Sequence, residues 1–191
     1  MSPVQPTTRE LKPILQQCLL REDFAGALSD LLGMPERYPE RRLINPLLSF
    51  LYSREPLLKW RAVTGIGLVT NRLAGHNVEG ARVIMRRLMW NLNDESGGIG
   101  WGSPEAMGEI LARNFRLAGE YHSILLSYLI PGSNYLEHEG LQPGVLWGVG
   151  RLARSNDALL KPATGYLLPY LKSEDVNIRG HAVWAALPLR D

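Results

Sequence analysis

"LLSFLYSREPLLKWRAVTGIG" (Leu47–Gly67) and "LLPYLKSEDVNIRGHAVWAAL" (Leu167–Leu187) align without a gap over 21 residues, and this match decides the fold. Leu51 falls on Leu171, Ser53 on Ser173, Arg61 on His181 and Val63 on Val183. Each stretch joins an apolar segment to a short acidic turn, then to small and apolar residues at helical spacing. The middle of the chain holds two longer versions, "MRRLMWNLNDESGGIGWGSPEAMGEILA" (85–112) and "ILLSYLIPGSNYLEHEGLQPGVLWGVGRLA" (124–153). Anchoring the four copies on Thr64, Met107, Trp147 and Trp184 spaces them 43, 40 and 37 residues apart. Self-similarity near this period signals stacked pairs of antiparallel helices.

The rest of the chain agrees. Period-two alternation is scarce, and apolar residues recur at helical spacing: Leu43, Leu47, Leu48 and Leu51; Leu58, Ala62, Gly65, Ile66 and Val69; Val83, Ile84, Leu88 and Leu92. The sequence predicts an all-α chain, an α-solenoid of about four helix pairs over 37–76, 77–119, 120–156 and 157–191. Residues 8–36 form a capping helix pair, residues 1–7 a loose tail, and the whole a single domain. Gly65, Gly108, Gly148 and Ala185 hold equivalent places on the second helix of each pair. Glycine in a helix interior costs about 1 kcal/mol relative to alanine. Its recurrence at one place predicts close helix approach.

"SEDVNIRGHAVWAAL" (173–187) resembles the second half of a HEAT-like repeat of the phycobilisome-lyase type. Val176, Arg179, Ala182, Ala185 and Ala186 match its pattern, and "REPLLKWRAVTGIG" is a looser match with Lys59 in the arginine place. The resemblance implies a HEAT-like interaction fold over about residues 37–191. It also implies two alternatives: a cofactor-handling protein or lyase related to bilin lyases, and a nucleic-acid-binding protein like the HEAT-like glycosylases of alkylation repair.

Composition narrows the classes. A formal net charge of +2 lacks the strong basic excess of a nucleic-acid binder, although Arg82, Arg86 and Arg87 hint at a local patch. Glu105 and Glu109 count against a basic binding face. Cys18 is the single cysteine, so neither an internal disulfide nor a cysteine-based zinc site can form. The N-terminal residues lack a signal-peptide pattern, and no apolar run approaches membrane-spanning length. The expectation is a cytoplasmic protein without membrane insertion or cofactor, its partner a protein or peptide.

Two loops stand out. "NDESGGIGWGSPE" (93–105) lacks the lysine of a phosphate-binding loop. Ser103-Pro104-Glu105 instead reads as a helix start, with serine as cap and Glu105 a solvent-facing first-turn carboxylate. "PGSNYLEHEGLQP" (131–143) has the equivalent place in the next repeat, so the loops are expected to touch. Together they offer Asn93, Asp94, Glu95, Trp101, Glu105, Tyr135, Glu137, His138 and Glu139 as a binding ridge; the competing reading is a turn pinned by Trp101. "EHE" lacks the spacing of a metal site, and Ser96, His138 and Asp94 lack a nucleophile motif around them. "GVGRLA" (148–153) mimics a dinucleotide fingerprint but falls inside a predicted helix. Glu109, Glu120 and His122 read as solvated or capping residues. Trp60, Trp147 and Trp184 lie on second helices, near Lys59, Arg61, Arg151, Arg179 and His181. They are either core or the wall of a binding groove.

Overall fold

The computed structural model describes residues 7–93 and 99–190. Asp94 and Glu95 lie outside the described residues, as does Ser96. Among the described residues there are ten α-helices and no strand: α1 Thr8–Leu19, α2 Phe24–Gly33, α3 Glu40–Phe50, α4 Pro56–His76, α5 Val78–Leu92, α6 Ser103–Arg113, α7 Phe115–Ser127, α8 Gln142–Ala153, α9 Leu168–Leu171 and α10 Val176–Ala186. This is the all-α class expected. The chain divides into two compact units, Met1–Ala81 and Arg82–Asp191.

In the first unit α1 and α2 form one pair and α3 and α4 another. Leu11, Leu15, Leu19, Leu31, Leu43, Leu47, Ala62 and Ile66 are fully enclosed in its core. A Cβ at Gly65 would stand 3.0 Å from Leu31 and 3.3 Å from Leu47, so its missing side chain makes room for two leucines. Residues 1–6 of the expected tail lie outside the described residues. Thr7 belongs to α1 as its cap: its hydroxyl accepts from the Glu10 N–H at 3.3 Å, and the Glu10 carboxylate accepts from the Thr7 N–H at 2.6 Å.

The two aligned stretches are built alike. Ser53 Oγ accepts from the Glu55 N–H at 3.1 Å, and Ser173 Oγ accepts from the Asp175 N–H at 3.2 Å. Glu55 and Asp175 then cap α4 and α10. Leu58 and Ile178 are buried, as are Ala62 and Ala182. The match breaks at Val63, which is 1% exposed, and Val183, which is 43% exposed. α4 is covered by α1, α2 and α3, whereas α10 packs on α8 and α9.

In the second unit α8 lies between α6 and α10, with α7 against both α6 and α8. A Cβ at Gly108 would fall 2.2 Å from the Gly148 Cα, so α6 and α8 cross backbone to backbone. On its other flank, Gly150 takes Trp184 and the Ala185 Cα, where a Cβ would come within 2.5 and 2.9 Å. The dinucleotide-like string is therefore packing, with one glycine for each neighbouring helix. Ala185 meets Gly150. α7 starts at Phe115: Asn114 ends α6 and its side chain accepts from the Leu117 N–H at 3.0 Å. One asparagine suffices there, without glycine or proline. On α5 the buried face is Ala81, Ile84, Met85 and Leu88, and Val83 turns outward.

Candidate binding surface of the second unit

The two long loops meet. The Trp101 indole stands edge-on to the His138 ring, with centroids 5.3 Å apart and planes at 83°. A Cβ at Gly140 would come 2.9 Å from the tip of the same indole. Trp101 nevertheless remains 36% exposed. His138 Nδ1 accepts from the Gly140 N–H at 3.2 Å and starts the 3-10 turn Glu139–Leu141. Asn93, Glu137 and Glu139 are exposed, and Tyr135 is half-buried.

Two first-turn assignments change. Gly102, at φ 76°, occupies the cap position of α6, and the buried Ser103 hydroxyl makes no capping bond. A positive φ suits glycine, which takes the cap position expected of the serine. Glu105 does not face solvent. It is 5% exposed and packs against Gly144 in the first turn of α8, where a Cβ would lie 2.6 Å from its Oε2. The carboxylate thus sits at the positive end of α8 as well as of its own helix.

Glu109 is also buried, at 3% exposure. Arg113 Nε donates to one of its oxygens at 2.5 Å and Arg151 Nε to the other at 2.6 Å. The expectation of a solvated Glu109 fails because its partner Arg151 comes from the next repeat. Buried as they are, Glu105 and Glu109 put no acidic surface in the way of a basic face, contrary to expectation. Glu120 holds Arg82 through two hydrogen bonds of 2.8 and 2.6 Å. His122 faces its own helix, with Nδ1 2.9 Å from the Ala118 carbonyl.

Trp147 and Trp184 border an open groove of about 630 Å³, completed by Val176, Asn177, Gly180 and His181. Val176 is 72% exposed at its rim. Trp184 is held firmly. Its Nε1 donates to the Trp147 carbonyl at 3.4 Å, and the Arg154 guanidinium lies 3.1 Å above its ring. Arg154 also donates to the Gly150 and Trp184 carbonyls, at 2.8 and 2.9 Å. Burial, then the nearby Arg151, pulls its pKa below the ordinary arginine value. Arg179 turns back to the Ser173 and Glu174 carbonyls at 2.5 and 3.2 Å, and His181 Nδ1 lies 2.8 Å from the Asn177 carbonyl. In the first unit Arg61 likewise donates to the Leu19 and Arg21 carbonyls, both at 2.6 Å.

The groove therefore unites Trp147, His181 and Trp184 of the residues singled out in the sequence. Arg151 and Arg179 serve the framework. Val176, Asn177, Gly180 and Arg154 were not foreseen as site residues. The signal for the first three was present, because 176, 177, 180, 181 and 184 share one helical face. Among the described residues no group of three or more His, Cys, Asp or Glu side chains is placed to hold a metal, and no helix is long and apolar enough to cross a membrane.

Helix pairs, capped turns and glycine crossings together define an all-α helical-repeat protein. No protein-family profile matches the chain. An uncharacterized protein of Archaeoglobus fulgidus is 29% identical over 146 residues, covering 76% of this chain and 73% of the relative. Among solved structures, an engineered protein aligns with TM-score 0.51 and 14% identity, over 93% of this chain and 78% of its own. A designed armadillo repeat protein aligns with TM-score 0.50 and 16% identity, over 97% and 88%. At these identities the likeness concerns the fold alone.

Proposed function

We propose that this chain is a non-enzymatic scaffold that grips an extended segment of a partner protein in the groove between α8 and α10. The loops 93–103 and 131–143 supply a second contact through Asn93, Asp94, Glu95, Trp101, Tyr135, Glu137, His138 and Glu139. The observation that carries the reading is the groove itself. It is an open trough with two indoles, an exposed valine and a side-chain amide, a lining that suits a peptide's apolar side chains and its backbone. Trp184 is fixed in advance by Arg154 and Trp147, so little side-chain freedom is lost on binding. We take the repeats as HEAT-like of the phycobilisome-lyase type, a reading supported by Asp175 capping α10 and Arg179 tying the turn before it. We further place the protein in the cytoplasm.

The test is a selection from a random peptide library, repeated with Gly180→Arg. Gly180 borders the groove, and a Cβ there meets nothing within 4 Å, so the variant blocks the trough without disturbing the core. The wild type is expected to select peptides that the variant binds at least about tenfold more weakly, or about 1.4 kcal/mol, at an unchanged melting midpoint. Equal affinity for both proteins refutes the groove as the site.

A further inference from the structure

The loop 131–143 contributes to a second cavity, of about 390 Å³, distinct from the peptide groove. Tyr135, Glu139 and Gln142 border it together with Tyr166, Tyr170 and Ser173, and the rest of the lining is apolar or glycine. We propose that this pocket binds an organic ammonium cation, free or carried on a lysine side chain, with the three tyrosines as its walls and Glu139 as its counter-charge.

Charge decides the class of ligand. Among the described residues Glu139 is the one charged side chain in the lining, and it is exposed. The nearby Arg179 is directed to the Ser173 and Glu174 carbonyls instead. An anion would be repelled by Glu139, and a neutral apolar ligand would strip water from it without compensation. A cation gains from the carboxylate and from the negative faces of phenol rings, the pairing that recognises methylated ammonium groups.

Two of the tyrosines are fixed before any ligand arrives. Gln142 Nε2 donates to the Tyr135 hydroxyl at 2.7 Å. The Tyr170 hydroxyl donates to the Leu129 carbonyl at 2.7 Å. Burial, and then the neighbouring Tyr135, raises the Tyr170 pKa above the ordinary phenol value, so that ring stays neutral. Tyr166, also in the lining, is half exposed. Such a volume suits a small ligand or one long side chain.

The experiment is calorimetric titration of the full chain with choline, with its uncharged isostere dimethylbutanol, and with a peptide bearing trimethyl-lysine. The expected result is saturable binding of choline or of the peptide, and none of the isostere. The tighter of the two identifies whether the cation is free or lysine-borne. Glu139→Gln and Tyr166→Leu, both at exposed positions, are expected to weaken binding between about threefold and thirtyfold at unchanged melting midpoints. Equal affinity for the isostere, unaltered affinity in both variants, or no saturable binding of either cation overturns the proposal. Gly180 lies outside this lining, so Gly180→Arg tests the peptide groove alone; Tyr135 and Glu139 serve both this pocket and the loop contact, and Tyr166→Leu, outside those loops, tests the pocket alone.

Discussion

Where α6 crosses α8, Gly108 and Gly148 leave no room for a side chain. Gly108→Ala puts a methyl group 2.2 Å from a backbone carbon, and a backbone cannot swing aside as a side chain tip can. We predict a loss of about 2–3 kcal/mol in denaturant unfolding, since overpacking outweighs the gain in helix propensity. Gly119→Ala, on α7 with nothing within 4 Å, is expected to gain about 0.5–1 kcal/mol instead. The pair separates crowding from propensity. Glu109→Gln leaves two guanidinium groups facing a neutral amide. Arg113 and Arg151 are each about a quarter exposed, so water softens the penalty, and the predicted loss is about 2–3 kcal/mol rather than the full value for a buried pair. Gly65, Gly108 and Gly148 were legible in the sequence because they recur at one place in three of the four repeats. The role of Glu109 was not, because Arg151 lies 42 residues away and only the stacking of α6 on α8 joins them.

At the scale of elements, each unit has a junction whose chemistry can be tested. In α3 and α4, Glu40 is flanked by His76 at 3.1 Å and Arg72 at 3.6 Å. Burial alone would raise its pKa, but its own backbone N–H, His76 and Arg72 outweigh that and hold it below the ordinary value. A lowered folded-state pKa adds stability above the unfolded value, near about 4.3, and that stability is lost as pH falls through the folded value. Acid unfolding followed by circular dichroism is therefore expected to show an extra loss beginning below about pH 5, and Glu40→Gln is expected to flatten it. In the loops before α6 and α8, Trp101 links His138 and Gly140 while remaining partly open. Trp101→Ala is predicted to cost about 1–3 kcal/mol in thermal unfolding, less than a fully enclosed tryptophan. The meeting of these loops followed from repeat equivalence alone. The inward turn of Glu105 did not, because a first-turn acid looks the same in sequence whether it faces water or another helix's first turn. Ser103 misled for a related reason: serine before proline and glutamate reads as a cap, yet Gly102 at positive φ takes that position.

At the scale of the whole molecule, the gapless match of 47–67 with 167–187 was enough to give the all-α class, and the aligned serines and acids do the same work at both turns. The groove was only half legible. Trp147 and Trp184 were visible as equivalent aromatics, but their shared trough depends on Gly150 letting the indole lie on α8 and on Arg154 stacking above it. Neither cause appears in a repeat alignment, because each belongs to one junction only. The central claim is that this trough is where a partner segment lies. Amide hydrogen exchange of the full chain, with and without a library-selected peptide, tests it most directly. Slowed exchange is expected in 142–153 and 176–186, with unchanged exchange in α3 and α4. Protection confined to 40–76, or absent from α10 while the peptide is bound, would contradict it.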